Sequence, residues 1–412
     1  MRFWSSVGSI DRVALWKRLV FSLFMLTFVM HETGRRCESA EWSMTPSFGV
    51  KGMYNDNLLL THLPHEATYG YWLSPAAEFA GRTERLSVSG KVAADFVSYY
   101  GGQASSFTNV FLPLSLRYGA ETNVWEFNGG YIRDNTLMSE LNLTGIVIRF
   151  TQRDQWNANP SWTRIITERL SLQASFQFSD TRYEDGLRLG LQDYQVLGGA
   201  LSLLYQFTES DQARLTATYA TYYTTNGPFM LRAGFPGVVA GLNHSFTESF
   251  TGTVYGGPRL INSTTQSSGE LIKTEDIVWT FGAGLTKKFE SASVELTAGR
   301  DVLPSGFGLL VKTDRVSITS AYALSERVSA SLSAAGYITT GATTLARGGN
   351  IPQFTHGTVT PKLSWNFLEY WRADLSYTYG ILRVETSPLA VGTGNAVNLM
   401  VTFTPAKFSF SR

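Results

Sequence analysis

A short polar turn marked by glutamate returns eight times along this chain. It appears at Glu84 (RTERLSVSG), Glu121 (GAETNVWEF), Glu168 (ITERLSLQASF) and Glu209 (FTESDQARLTA). It continues at Glu248 (FTESFTGTVY), Glu290 (KFESASVEL), Glu326 (LSERVSASLS) and Glu369 (FLEYWRADLSY). The separations are 37, 47, 41, 39, 42, 36 and 43 residues. Each turn lies between two alternating segments, so one period holds two strands, one short turn and one longer loop.

The alternation itself is strict. Leu170, Leu172, Ala174, Phe176 and Phe178 share one parity; Ser171, Gln173, Ser175 and Gln177 take the other. Val328, Ala330, Leu332 and Ala334 alternate with serines, and Leu86, Val88, Val92, Ala94 and Phe96 oppose Ser87, Ser89, Lys91 and Asp95. Ala373, Leu375, Tyr377 and Tyr379 face away from Arg372, Asp374, Ser376 and Thr378. Period two means strand, with the two faces meeting different solvents. Strands of about 10 to 15 residues exceed the usual length in soluble sheets and suit a tilted membrane strand. A soluble β-helix would repeat at a shorter period, and a sandwich would use shorter strands.

Composition agrees. Aromatics reach 13% and glycines number 38, yet mean hydropathy is −0.05, which excludes a bundle of membrane helices. Lys+Arg 34 against Asp+Glu 33 leaves no electrostatic reason for a nucleic-acid partner.

Eight short turns define sixteen strands. One more precedes them at about Trp42–Tyr54 and one follows at about Asn395–Thr404. The expected fold is therefore all-β: a transmembrane antiparallel up-and-down β-barrel of about eighteen strands. Sixteen stays open, because alternation is weak at 149–166 and 234–247. Short turns would be periplasmic, and longer loops near 55–68, 101–106, 134–148, 184–192, 225–236, 260–275, 302–308, 342–353 and 385–393 extracellular. Tyr118, Phe207, Phe246, Phe289 and Phe367 precede the turns, as an inner aromatic girdle would. Pro75, Pro113, Pro160 and Pro361 recur in strands entering a turn, which predicts a repeated bulge or bend.

Residues 1–40 read as a signal peptide and 41–412 as the barrel. Arg12, Lys17 and Arg18 precede the apolar run Leu19–Met30, which is too short to span a bilayer as a helix, and CESA offers a cleavage site near Ser39 or Ala40. A short N-terminal anchor is the other reading of this segment. Cys37 is the only cysteine and follows Arg36 rather than a small residue, so neither lipidation nor a disulfide is expected.

NDNLLL at Asn55–Leu60, FSDTRYED at Phe178–Asp185 and the TERLSL-type turns together resemble the β-barrel porins of the PEP-CTERM and exopolysaccharide-associated outer-membrane group. The resemblance covers most of residues 43–404. It implies a Gram-negative outer-membrane barrel linked to export or surface polysaccharide, and it carries no catalytic residues. The chain departs from many outer-membrane proteins in ending KFSFSR, with Arg412 last and Phe410 two residues back.

No residue pattern calls for a cofactor. His62 and His65 flank Leu-Pro in the first loop, beside Glu66, and make a poor metal site. A membrane hydrolase would need His244, Ser245 and Asn243 to converge, whereas consecutive strand residues alternate faces. The parity expected to line the lumen carries Lys51, Glu78, Lys91, Asp95, Arg117, Glu126, Arg214, Glu295, Lys362, Arg372 and Asp374. Such charges either tune which solutes pass or pair among themselves to fill the barrel. The leading expectation is a porin-like passive channel, or an outer-membrane component of polysaccharide export. A closed binding barrel whose loops engage a partner or glycan is the alternative, and a lipid hydrolase the least favoured. The implied partners are outer-membrane lipid and lipopolysaccharide, the barrel-assembly machinery, and small solutes or polysaccharide.

Overall fold

The computed structural model describes residues 40–62, 65–102, 104–137, 139–140, 150–226, 229–267, 270–342, 352–385 and 391–411. The expected leader, with Cys37 and His31, lies outside the described residues up to position 39.

The strands are β1 (Glu41–Asn55), β2 (Thr68–Arg82), β3 (Leu86–Gly101), β4 (Ser105–Gly119), β5 (Asn123–Asn135) and β6 (Gln152–Ile165). Next come β7 (Leu170–Tyr183), β8 (Tyr194–Gln206), β9 (Asp211–Asn226), β10 (Phe229–Thr247), β11 (Phe250–Ser267) and β12 (Glu270–Lys288). The remainder are β13 (Ala292–Pro304), β14 (Leu310–Ala323), β15 (Val328–Gly341), β16 (Phe354–Leu368), β17 (Trp371–Val384), β18 (Val391–Phe403) and β19 (Phe408–Ser411). A short helix, α1 (Gly186–Leu189), lies between β7 and β8.

Each strand pairs antiparallel with its neighbour in sequence, and β1 closes the ring against β18 from Phe48↔Phe403 to Asn55↔Ala396. Below the Thr404–Lys407 interruption, β19 continues the same position in the wall, pairing Phe408–Ser411 with Glu41–Met44. The result is a closed antiparallel up-and-down barrel of eighteen wall positions. β6 and β10 are both full strands, which removes the sixteen-strand alternative.

The eight glutamate-marked segments are the short turns. In four of them the closing group sits one residue before the glutamate. Thr83 Oγ1 accepts from Leu86 N–H at 3.0 Å, Thr167 Oγ1 from Leu170 N–H at 3.0 Å and Thr208 Oγ1 from Asp211 N–H at 3.1 Å. Ser325 Oγ accepts from Val328 N–H at 3.1 Å. The hydroxyl closes the turn by satisfying a backbone donor that the ladder leaves free.

Alternation assigns the faces. On β8, Leu197, Leu201, Leu203 and Tyr205 are exposed on the outside, while Tyr194, Val196 and Ser202 are buried on the inside. Tyr118, Phe207, Phe246 and Phe289 project outward at the short-turn end. They are joined there by Trp42, Trp125 and Trp371. The outer face is thus an apolar belt edged by rings, the surface a hydrocarbon solvent selects.

Two expectations are corrected. Residues 225–236 and 260–275 are not long loops: β9, β10, β11 and β12 continue through them almost without interruption. Arg232, Thr264 and Lys273 stand in one outward row across β10, β11 and β12. Beyond the belt the outer face meets water, and the inner face buries polar Ser263 and Thr265 alongside Leu231 and Ile261, so the apolar alternation fades while the hydrogen-bonded ladder goes on. The prolines do not make bulges either. The β2–β3 ladder lapses at Pro75 and resumes from Leu73↔Phe96 to Ala76↔Ala93 with its register kept. The same holds at Pro113, Pro160 and Pro361. Proline deletes one donor and leaves the strand otherwise extended.

The main buried cluster lies inside the barrel, toward the long-loop end. Tyr183, Tyr194, Tyr222, Leu231 and Ile261 from the wall enclose Leu309 of the β13–β14 connection with the flanking Val302 of β13 and Leu310 of β14. β13 pairs with β12 only up to Arg300↔Phe281, and above that point it leans inward. Gln192 N–H donates to Gly306 O at 2.7 Å, which ties the inward segment to the β7–β8 connection.

The two faces should respond differently to charge. Leu332→Arg, on the outer belt, should destabilise by about 2 kcal/mol or more. Its neighbour Ser333→Arg, facing the interior, should cost much less. Urea unfolding in lipid vesicles distinguishes them, and equal costs would contradict the face assignment.

Candidate functional site

The interior is a water-facing surface built by alternate residues of every strand. Seven of the charges named from the sequence are held in ion pairs across its rows. Lys91 Nζ lies 3.1 Å from Glu78 Oε1, and Arg117 Nη1 lies 2.7 Å from Glu126 Oε1. Asp374 receives Lys362 at 3.2 Å and Arg372 at 3.0 Å, and Ser364 also donates to it. The pairs follow from register: Glu78 stands opposite Lys91 and Arg117 opposite Glu126 on adjacent strands.

The other four are not ion-paired with one another. Arg214 donates to Gln173 at 2.7 Å. Glu295 stands between Thr286 and Thr319. Lys51 places its ammonium over the Trp72 ring, 3.5 Å from the centroid, and Asp95 stands opposite Asn109. Lys51, Lys91 and Asp95 line one recess of about 700 Å³, together with Trp72, Tyr99 and Asn135.

A second charged group lies within the inward cluster, and the parity argument did not find it. Arg153 makes a two-pronged contact with Asp134, Nε to Oδ1 at 2.9 Å and Nη2 to Oδ2 at 2.8 Å, both residues buried. Glu140, fully enclosed, accepts from the Tyr183 hydroxyl and from Gly306 N–H at 3.4 Å. Glu140 therefore joins the β5–β6 connection to the β13–β14 connection. Asp134 and Arg153 are strand neighbours in register, but the weak alternation of β6 hid the pair. Arg259 and Asp301 form a further interior pair at 3.0 Å.

The first loop also turns inward. Leu60, in the left-handed region at φ 51°, sits on Gly380, Gly392 and Gly394. A Cβ on Gly392 would stand 1.8 Å from Leu60 O, so only glycine permits this approach. Asp56 accepts from Asn395 N–H at 2.6 Å and Asn57 donates to Thr393 O at 2.9 Å, which fastens the loop to β18.

The histidines form no centre. Among the described residues no group of three or more potential metal ligands occurs. His62 and His65 are exposed in the first loop. His356 is buried against Tyr337. His244 points outward, 2.7 Å from Asp211 and edge-on to Phe246, while Ser245 lies on the opposite face. Histidine and serine on opposite sides of one strand do not make a nucleophile and base.

No family model matches the chain, and no curated protein matches it. Among solved structures it is similar to the outer membrane channel DcaP of Acinetobacter baumannii, with 11% identity over 89% of this chain and 97% of that one and a TM-score of 0.46. It is similar to OccAB2 of Acinetobacter baumannii, with 12% identity over 88% and 98% and a TM-score of 0.43. It is also similar to OccK5 of Pseudomonas aeruginosa, with 11% identity over 88% and 98% and a TM-score of 0.41. Likeness at that level bears on neither substrate nor mechanism. Location follows from the barrel's own surfaces: an eighteen-position ring with an apolar exterior and a polar interior is an outer-membrane protein.

Burial raises the Glu140 carboxyl above its ordinary range. The Tyr183 hydroxyl, the Arg153 charge and Gly306 N–H act in the other direction, and Asp134 adds to the rise. A raised folded value means the stabilisation is whole below the unfolded value and is lost as pH climbs through the folded one. Docking of the inward loops should thus weaken with rising pH. Hydrogen exchange at Ser305–Leu309, corrected for intrinsic rates, should quicken as pH rises, and Glu140→Gln should flatten that dependence.

Proposed function

We propose that this chain is a passive outer-membrane channel for small polar solutes. The observation that carries the reading is the combination of a closed apolar-coated wall with an interior lined by charged and hydrogen-bonding side chains. A barrel of this strand number encloses room for an aqueous path unless it is plugged. The inward connections fill one side, between β7 and β11, and leave the recess near β1–β4 beside them. That geometry favours small solutes over a bulky polymer.

In the same reading the eleven interior charges act as lining, and the pairing of seven of them keeps much of the local field near neutrality. No catalytic role is assigned to any residue. The belt meets lipid and, on the outer side, lipopolysaccharide, and the barrel-assembly machinery inserts the chain. The resemblance of the NDNLLL and TERLSL segments supports a link to surface-polysaccharide export as the biological setting. The inward cluster favours a second reading, a closed barrel whose outer loops bind a partner or glycan.

Planar bilayers separate the two. Purified full-length protein should give discrete conductance steps. Replacing Ser305–Leu309 with Gly-Gly should enlarge each step by withdrawing the segment from the interior. Silence from heat-modifiable, folded protein across salts and voltages would favour the closed barrel.

A further inference from the structure

The recess holds two opposite charges that are not spent on each other. Among the described residues Lys51 makes no ion pair and no hydrogen bond; its ammonium is half-buried and rests on the Trp72 ring at 3.5 Å. Asp95 is half-buried in the same recess and makes neither kind of contact among the described residues. This distinguishes them from Glu78 and Lys91, which bond to each other two inner-face rows from Asp95 toward the short-turn end.

Register sets their spacing. Lys51 stands opposite Trp72, and Trp72 opposite Val97. Asp95 is two residues from Val97 on the same inner face. The two backbones are therefore two strand spacings apart, about 10 Å, with a further offset along the strand. Both side chains project from the inner face into the one recess they line. Around them Met53, Leu58, Leu137 and Met400 supply apolar wall, with Ser74, Asn135 and Thr402 as polar patches in it.

We propose that this recess binds a small zwitterion with an apolar body, of the α-amino-acid type. Its carboxylate would take the ammonium donors of Lys51, and its ammonium would take the Asp95 carboxylate. A lone anion would meet Asp95 as a like charge, and a lone cation would meet Lys51. Only a solute carrying both poles satisfies both groups, and half-buried charges reward such pairing more than exposed ones do. The Trp72 face holds the Lys51 side chain in place without neutralising it. The inference names the solute class for the channel proposed above and rests on that reading for its physiological meaning, though the binding site itself does not.

The test uses three probes of one shape: L-leucine, isocaproate (leucine without its amine) and isoamylamine (leucine without its carboxylate). Each is titrated calorimetrically into detergent-solubilised full-length protein. Leucine should bind about tenfold or more tightly than either single-charge probe. Lys51→Met should remove that advantage over isoamylamine, and Asp95→Asn the advantage over isocaproate. Lys51→Arg should retain most of the affinity, and Arg327→Gln, in the β14–β15 turn, should change nothing. Heat-modifiable migration confirms that each variant is folded. Isocaproate binding as tightly as leucine, an unaltered Lys51→Met, or no leucine binding by folded protein would each overturn the proposal. Leucine binding without conductance would defeat the channel reading alone; conductance without leucine binding would defeat this inference alone.

Discussion

Every other feature of this molecule depends on backbone hydrogen bonding in a solvent that offers none. Hydrocarbon cannot satisfy an unpaired N–H or C=O, so a sheet that crosses it must close. Closure here falls on β1, which pairs with β2 along its whole length and with β18 and β19 in succession on its other edge. The interruption at Thr404–Lys407 is bridged because β19 takes up the same neighbour. The proline lapses are tolerated for the related reason that register is kept on both sides of each, so the ladder loses single bonds and never its alignment.

Closure creates an inside, and the inside then has its own energetics. Wall charges there meet as cross-strand pairs that register brings face to face. The inward connections meet under harsher terms. Asp134, Arg153, Glu140 and Tyr183 are buried together, and the cost of burying their charge is offset by the two-pronged Arg153–Asp134 contact and the Tyr183–Glu140 hydrogen bond. Tyr222 and Leu231, fully enclosed, show that the cluster excludes water and narrows the lumen from one side. The recess with Lys51 and Asp95 is what that asymmetry leaves open.

Much of the wall was legible in the residues alone. Turn positions, strand number, strand direction and the inner parity of all eleven charges follow from period-two alternation between repeated turns. The reading weakened where the physics behind it changed. Above the belt, RLINSTTQ and ELIKTEDI remain strands, but polar residues interrupt their outer faces and the inner face of β11 buries Ser263 and Thr265 beside Ile261, so no clean apolar alternation marks them. β6 alternated poorly because its upper inner face carries Arg153 and its outer face Asp154, both polar. The turn hydroxyls of Thr83, Thr167, Thr208 and Ser325 stand beside the glutamate in four of the eight repeats, but the glutamate, common to all eight, is the more conspicuous mark.

The sequence by itself determined the wall, because alternation and turn chemistry are local properties and a strand between two solvents needs nothing distant to orient it. Only the tertiary structure decided what fills the barrel. Glu140 meets Gly306 across 166 positions of chain, and Leu60 finds its seat on Gly392. Contacts of that range depend on the ring having closed first, since closure alone brings those connections within reach of one another. The glutamate-marked turns therefore specified a container, and the loops they do not mark specified how much of it stays open.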